Sequence, residues 1–370
     1  MEAIRAFHHV VDDPLKYLEG VSLRKKAVGY CCSYTPEEVI HAAGLHPFRL
    51  FGLSPDTGVA DGHLQSYCCS LVRGVLSDVL TGRLDTLSGA VFPHTCDTIQ
   101  RLSDIWRMNT KFPFFADVVL PVKLDTPSAR EYFEEVLAKF RADLEKGFGV
   151  SVTDASLKGS IKLYNLIRTS LRKIFELRSA SPALISGAEL NKVAMGAMIL
   201  ERETAASMLA DLADELGRLP APSPAGRKRV MLVGSLCSQP DIHAILEKAG
   251  ADAVWDDLCT GSRYFDGLVR EDGDPLTAIA ERYCSRIICP AKHSSLTARG
   301  ENLLKSVDTH RVEGVVFLML KFCDPHAFDY PYLKGFLDGR GVPSTLLEIE
   351  GQLPPEGQLL TRFETFVQML

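Results

Sequence analysis

The sequence lacks any apolar run approaching the roughly 18–20 residues that a membrane-spanning helix needs. Its longest candidate, Val315-Val-Phe-Leu-Met-Leu320, is far shorter, so no membrane association is expected. The opening residues Met1-Glu-Ala-Ile-Arg5 carry no apolar signal core, which points to a cytoplasmic location where thiols stay reduced. A basic stripe is missing as well. With 41 Lys and Arg against 47 Asp and Glu the net charge is −6, and nucleic acid is not an expected partner. No G-x-x-x-x-G-K-[ST] motif is present, so ATP hydrolysis at a P-loop is not expected, and no G-x-G-x-x-G motif marks a nicotinamide site. The C-x-x-C knuckles that usually hold structural zinc are absent too.

Cysteine itself is not scarce. The 370 residues include ten, too few for a disulfide scaffold and more than a chain long enough for two packed cores needs for stability. A chemical use is therefore expected.

The clearest boundary is Gly217-Arg-Leu-Pro-Ala-Pro-Ser-Pro-Ala-Gly-Arg-Lys228, rich in Pro and poor in large apolar residues. It predicts an N-terminal α/β domain over 1–219, a linker over 220–228 and a C-terminal α/β domain over 229–370. Beyond it, 229–234 reads as a buried parallel strand, 241–248 as a helix stopped by Gly250, and 251–255 as the next strand. The first domain opens the same way, with a strand over 27–30, a helix over 36–43 stopped by Gly44 and a strand over 47–53. The two openings align as a weak internal repeat, Cys32-Ser-Tyr-Thr-Pro36 against Cys237-Ser-Gln-Pro240. Further strands are expected at 89–92, 114–120, 286–288, 314–320 and 344–349. Between 128 and 216, apolar residues such as Ile161, Leu163, Leu166, Ile167, Leu171 and Ile174 recur at helical spacing, which predicts a helical block on one face of the first domain. The fold class expected is α/β, with two doubly wound, flavodoxin- or Rossmann-like parallel-sheet domains and a helical block.

The cysteines fall where such a fold binds ligands. Cys31 and Cys32 follow the 27–30 strand, Cys96 the 89–92 strand, Cys237 the 229–234 strand and Cys259 the 251–255 strand. Cys289 follows 286–288 and Cys323 follows 314–320. In open α/β sheets, ligands bind at the carboxyl edge of the strands. One such thiol is ordinarily a small buried hydrophobe; six strands that each deliver one suggest a site between the domains. Ligands scattered one per loop suit an iron–sulfur cluster, which needs thiolates but no fixed knuckle. His94 near Cys96 and His326 near Cys323 would also suit a thiol nucleophile, but that use accounts for one cysteine. Cys32, Cys69, Cys96 and Cys237 precede or open expected helices, whose N-terminal amides favour a thiolate.

At these residues the chain resembles a known family. Gly29-Tyr-Cys-Cys-Ser-Tyr-Thr-Pro-Glu-Glu-Val-Ile40 with Ala42-Ala-Gly44 looks like its opening signature. Cys69-Ser-Leu-Val-Arg73, Pro93-His-Thr-Cys-Asp97, Asp256-Asp-Leu-Cys-Thr-Gly-Ser-Arg263 and Lys321-Phe-Cys-Asp-Pro325 continue it in order. The resemblance, over nearly the whole chain, is to the 2-hydroxyacyl-CoA dehydratase and benzoyl-CoA reductase (BCR/HAD) family. It implies two α/β domains with an oxygen-sensitive iron–sulfur cluster between them, and low-potential electrons delivered by a separate ATP-hydrolysing iron–sulfur activator. Ordinary members hold one [4Fe–4S] cluster on about three cysteines; carried over by motif, these would be Cys69, Cys96 and Cys323. This chain adds Cys32, and also Cys284 and Cys289 in Glu281-Arg-Tyr-Cys-Ser-Arg-Ile-Ile-Cys-Pro290.

Six thiols suit the family's double-cubane branch, in which two [4Fe–4S] cubanes share a bridging sulfide as an [8Fe–9S] cluster and each takes three cysteines. The resemblance thus implies Cys32, Cys69, Cys96, Cys284, Cys289 and Cys323 as ligands. The second Cys is favoured in the Cys31-Cys32 and Cys68-Cys69 pairs because the Cys-Ser motif starts there. Cys237 and Cys259 stand open between ligating and structural roles. The activity implied is reduction of small unsaturated or nitrogenous molecules by a homodimer that draws on an ATP-hydrolysing partner. One alternative is a dehydratase or reductase subunit with a single [4Fe–4S] cluster and a CoA-thioester pocket; another, of a different class, is a zinc- or cluster-carrying scaffold. Arg73, Arg263, Lys292 and His293 could offset cluster charge or supply protons, or be surface ion pairs. Asp97 and Asp324 are expected to cap helices, and Tyr30, Tyr34, Phe92 and Phe322 to wall the site from water.

Overall fold

The computed structural model describes residues 2–54, 56–220, 226–237, 241–286, 289–350 and 353–370. Among them lie two four-stranded parallel sheets. The first contains β1 (Ala27–Tyr30), β2 (His46–Arg49), β3 (Gly89–Pro93) and β4 (Phe114–Val118), in the order β2-β1-β3-β4. The second contains β5 (Lys228–Gly234), β6 (Ala251–Asp257), β7 (Gly314–Leu320) and β8 (Ser344–Ile349), in the order β6-β5-β7-β8. The orders are the same, so the repeat sensed in the two openings extends to four strands each. Both β1 and β3 are buried along their whole length, as strands covered on both faces must be. In each sheet the winding reverses between the first and third strands, and the crevice beyond that point is where doubly wound sheets hold ligands. Cys32 and Cys96 follow the two strands flanking the first such point; Cys237 and Cys323 follow those flanking the second.

The expected elements shift at their ends. β2 stops at Arg49 rather than 53, because Gly52 takes a left-handed φ of 65° and turns the chain across the helix Ser70–Leu80. The strand expected over 286–288 is not supported at Arg286, which closes the helix Pro275–Ser285; residues 287 and 288 lie outside the described residues. So do residues 221–225 of the expected linker, while β5 already begins at Lys228.

The helical block consists of helices Pro127–Phe148, Asp154–Ala180, Gly187–Ala197 and Arg202–Arg218. Local chemistry sets their ends. Thr126 and Thr153 accept the amides of Ala129 and Ser156, Ser186 and Glu189 form a capping box, and Gly149 stops the first helix at φ 67°. The block does not sit on one face of the first domain alone. Helix Pro127–Phe148 packs on β4 and on helix Pro275–Ser285, and helix Asp154–Ala180 reaches both helix Glu37–Ala42 and β6. Leu166, expected in the core, is 46% exposed. Two N-terminal helices, Glu2–Asp12 and Pro14–Ser22, were not anticipated, although Ile4, Phe7 and Val10 mark a buried stripe in the first.

A buried polar network ties these layers together. Arg202 is fully buried and donates to Tyr164 at 2.9 Å, Glu37 at 2.9 Å and the Pro47 carbonyl at 2.8 Å. Arg168 pairs with Glu38, and the Tyr283 hydroxyl donates to the Thr35 carbonyl at 2.6 Å. Residues of the first sheet, the helical block and a helix of the second half thus hold the segment that follows Cys32.

Candidate metal centre

The Cys32 loop is fixed from the opposite half of the chain. Arg286 lies over the Tyr34 ring at 4.3 Å and donates to the Ser33 carbonyl and hydroxyl at 2.8 and 2.9 Å. The Cys289 amide donates to the Tyr34 hydroxyl at 3.4 Å. Thr95, next to Cys96, donates its hydroxyl to the Cys32 sulfur at 3.6 Å. Three other cysteines occupy helix N-cap positions: Cys69 before Ser70–Leu80, Cys96 before Asp97–Asn109 and Cys323 before Asp324–Gly339. The amides of Val72, Ile99 and His326, three residues on in each case, favour the respective thiolates, though none forms a capping hydrogen bond to the thiol. Gly74 sets the Cys69 helix by lying against Gly52; a side-chain carbon on Gly74 would meet the Gly52 oxygen at 2.7 Å. Phe322, just before Cys323, holds a left-handed φ of 66°.

These thiols are close enough to act on one another. Cys69, Cys32 and Cys289 act on Cys96; Cys69, Cys96 and Cys289 act on Cys323; Cys259 and Cys32 act on Cys289. Burial pushes Cys289 up to about 11 and raises Cys69, Cys96 and Cys323 as well. Thiols with raised pKa are poor nucleophiles near neutral pH. Among the described residues no three His, Cys, Asp or Glu side chains converge tightly enough for a single metal ion.

Of the six cysteines expected as ligands, Cys32, Cys69, Cys96, Cys289 and Cys323 share this neighbourhood. Cys284 does not. It lies on helix Pro275–Ser285, its neighbours are Arg130 and Glu134 of the helical block, and burial raises it to about 11. Cys31 lies behind Cys32 and burial pushes it up to about 12. Cys68 is buried near Gln65, Asp97 and Asp324. The Cys237 backbone is fastened to Thr260 at 3.0 Å.

Two cations are buried beside the thiols, not paired on the surface. Lys292 is 3% exposed and donates to the carbonyls of His94 and Leu120 at 3.1 and 3.3 Å. An ammonium has three donors. Burial lowers its pKa, and Cys32, Cys289 and Cys96 oppose that shift. Arg263 is fully buried, 3.2 Å from the Asp257 carboxylate, and its Nη1 has no hydrogen-bond partner. Burial lowers its pKa, but Asp257, Cys259 and Cys289 more than offset this and it ends raised. Arg73, by contrast, donates to Asp61 at 2.7 Å, and His293 is exposed, its backbone bridging Val122 and Leu124. Asp97 and Asp324 are the first residues of their helices, the cap position being taken by cysteine. His94 sits 3.0 Å from Asp117, paired away from Cys96. Tyr30, Tyr34 and Phe92 are buried as expected, whereas Phe322 is 40% exposed. Arg286, Tyr283 and Thr95 were not singled out in the sequence; they meet the Cys32 loop across long stretches of chain, and no local pattern reports such contacts.

Beyond Lys292 a cavity of about 330 Å³ opens, lined among others by His293, Leu296, Arg299, Phe328 and Tyr332. Leu296 and Phe328 are 89% and 82% exposed at its rim. No helix among the described residues is long and apolar enough to cross a membrane.

Fold and site together define a two-domain α/β protein with thiols gathered at its sheet edges. A family model for the 2-hydroxyglutaryl-CoA dehydratase D-component matches residues 32–370, and the chain belongs to that family, which is part of the 2-hydroxyacyl-CoA dehydratase and benzoyl-CoA reductase group. It is 27% identical to the (R)-phenyllactyl-CoA dehydratase beta subunit of Clostridium sporogenes, over 98% of this chain and 97% of that protein. The lactoyl-CoA dehydratase beta subunit of Anaerotignum propionicum is 28% identical, over 94% and 92%. A benzoyl-CoA reductase subunit of Thauera aromatica is 29% identical, over 90% and 88%. The general kind of function is therefore that of an enzyme component of the dehydratase and reductase class.

Proposed function

We propose that this chain is an iron–sulfur reductase component that takes low-potential electrons from an ATP-hydrolysing iron–sulfur activator and reduces a small unsaturated molecule. The cofactor is a double-cubane [8Fe–9S] cluster between the two sheets, and the working unit is a homodimer. Cys32, Cys69, Cys96, Cys289 and Cys323 are its ligands, with the sixth considered below. The cluster supplies one-electron reducing power.

The observation that carries this reading is the pair of buried cations. Lys292 and Arg263 each keep a donor unspent beside the thiols, and buried charge is costly unless matched. Thiolates on a net-anionic cluster would match it. Raised thiol pKa values also suit ligands that ionise only when metal binds. Thiols near one another but too far apart for one ion suit a group that itself separates its ligands. Arg286 and Tyr34 hold the Cys32 loop, while Phe92 and Tyr283 exclude water behind it. The cavity past Lys292 is near the small end of ligand pockets, which favours a small substrate.

Anaerobically purified protein tests this. About eight iron atoms per chain, and a cluster signal that appears only when the activator hydrolyses ATP, are expected. Iron-free protein, or a cluster that the activator leaves oxidised, would overturn it. A second reading is favoured by the relatives' names: a CoA-ester dehydratase or reductase subunit with one cubane. It requires about four iron atoms per chain and binding of a CoA thioester.

A further inference from the structure

Five of the six cysteines expected from the sequence share one neighbourhood, and a different thiol stands where the sixth should be. The geometry points to Cys259, in place of Cys284, as the sixth thiol of the cluster. This rests on the iron–sulfur reading above.

The Cys259 sulfur acts on both Cys289 and Arg263, whereas Cys284 has Arg130 and Glu134 for neighbours and lies among none of the site's thiols. The loop that carries Cys259 is built to hold one position. Its amide donates to the Ser235 carbonyl at 2.7 Å, tying it to the end of β5. Asp256 accepts the amides of Leu258 and Ser262 at 3.2 and 2.7 Å, and the Ser262 hydroxyl donates to the Asp256 carbonyl at 2.7 Å. Gly261 leaves no room for a side chain, since its missing carbon would collide with the Asp256 carboxylate. A backbone fastened this fully is what preorganised ligation needs.

A second observation points to an anion at this place. Arg263, fully buried four residues after Cys259, keeps Nη1 without a partner. Nη2 is spent on the carbonyls of Gly234, Ser235 and Asp257, and Nε faces the Asp257 carboxylate at 3.2 Å without a hydrogen bond. A cysteine thiolate on a net-anionic group would take up that donor. The assignment also makes the site even-handed: Cys32, Cys69 and Cys96 come from the first sheet's edge, and Cys259, Cys289 and Cys323 from the second half. Cys96 and Cys323 correspond in the repeat, each capping the helix after the third strand of its sheet. Cys284 sits off this arrangement: its helix packs on Pro127–Phe148, while Arg286 just after the helix reaches to Ser33.

The test compares full-length Cys259→Ser and Cys284→Ser, purified without oxygen, by iron and acid-labile sulfide per chain and by the EPR spectrum of the reduced protein. Cys284→Ser should match wild type in all three. Cys259→Ser should lose roughly half its iron, one cubane's share, and change the EPR signal. Full iron with an unchanged spectrum in Cys259→Ser would overturn the assignment, as would iron loss in Cys284→Ser. If Cys259→Ser does not accumulate as folded chain, Cys284→Ser alone decides: wild-type iron supports the assignment and lost iron overturns it. Iron-free wild-type protein is a separate outcome; it removes the cluster reading and this assignment with it.

Discussion

Asp256 offers a quantitative test of the second sheet's edge. It is the next-to-last residue of β6, opposite Leu232, and is 8% exposed. Burial drives its carboxyl from 3.8 up to about 6, the Ser262 and Leu258 amides oppose this, Asp257 adds to it and Arg263 opposes it. A rise of about two units is worth roughly 3 kcal/mol at 1.36 kcal/mol per unit. The sign follows from proton counting. Between pH 4 and 6 the native state binds the proton and the unfolded state has released it, so stability falls as pH rises through this window. Above about 6 both states are ionised and the loss is constant. Asp256→Asn keeps the Oδ1 acceptor and removes the titration. Relative to wild type, the variant should therefore gain roughly 3 kcal/mol between pH 4 and 7 and stay level above that. Urea unfolding followed by circular dichroism across this range, under anaerobic conditions, measures the difference. A constant offset between the two proteins at every pH would refute the reasoning, because it would mean that Asp256 ionises as freely in the fold as outside it.

Three further outcomes follow from the same structure. Lys292→Met removes a buried positive charge beside the thiols and should lower the cluster's midpoint potential by roughly 50–100 mV, the scale of a unit charge inside a protein, whereas Lys292→Arg should keep it; an EPR-monitored redox titration reads both. Arg202→Met leaves the buried Glu37 carboxylate without its cation, Tyr164 still donating to it, and should cost about 3–5 kcal/mol of stability in chemical denaturation. Gly74→Ala forces the Cys69 helix off Gly52; about 1–3 kcal/mol of destabilisation is expected, with weaker iron retention in a chelator challenge.

Much of the architecture was legible because a parallel strand covered on both faces leaves an apolar run with a defined end. That end locates the residue that follows it, which is why Cys32, Cys96, Cys259 and Cys323 could be placed at sheet edges from the chain alone. The helices that begin after Cys69, Cys96 and Cys323 were half legible: their starts were foreseen, with Asp97 and Asp324 as the expected caps of the last two, but a cysteine at the cap position has no pattern of its own. Cys284 lies apart from the other five for a specific reason. It was placed by a count of thiols and by nearness in sequence to Cys289, yet it belongs to a helix whose rotation turns it to the helical block, while Cys289 lies past the helix end. Sequence spacing cannot carry a position across a helix terminus when the residues beyond it are held by distant partners, here Ser33 and Tyr34 gripped by Arg286.

The buried charges were half legible: Arg263 and Lys292 were candidates to offset cluster charge, but their burial, which decides against surface ion pairs, shows only in the fold. A lysine or arginine reads as surface until a fold covers it, and covering it is unfavourable unless something anionic comes with it. Lys292 and Arg263 are covered, both acting on Cys289, with donors still unspent. A chain stabilised only by its packing would gain by replacing either with an apolar residue of similar size. Arg263 already has Asp257 beside it, whereas Lys292 has only carbonyl partners; on the proposed reading cluster thiolates would match Lys292 and the spare Arg263 donor, and without them buried Lys292 is a cost. Holo protein should accordingly unfold at higher denaturant than metal-free protein, and Lys292→Met should narrow that gap by destabilising the holo form more than the metal-free one; an equal shift of both would refute the link between the cations and the group.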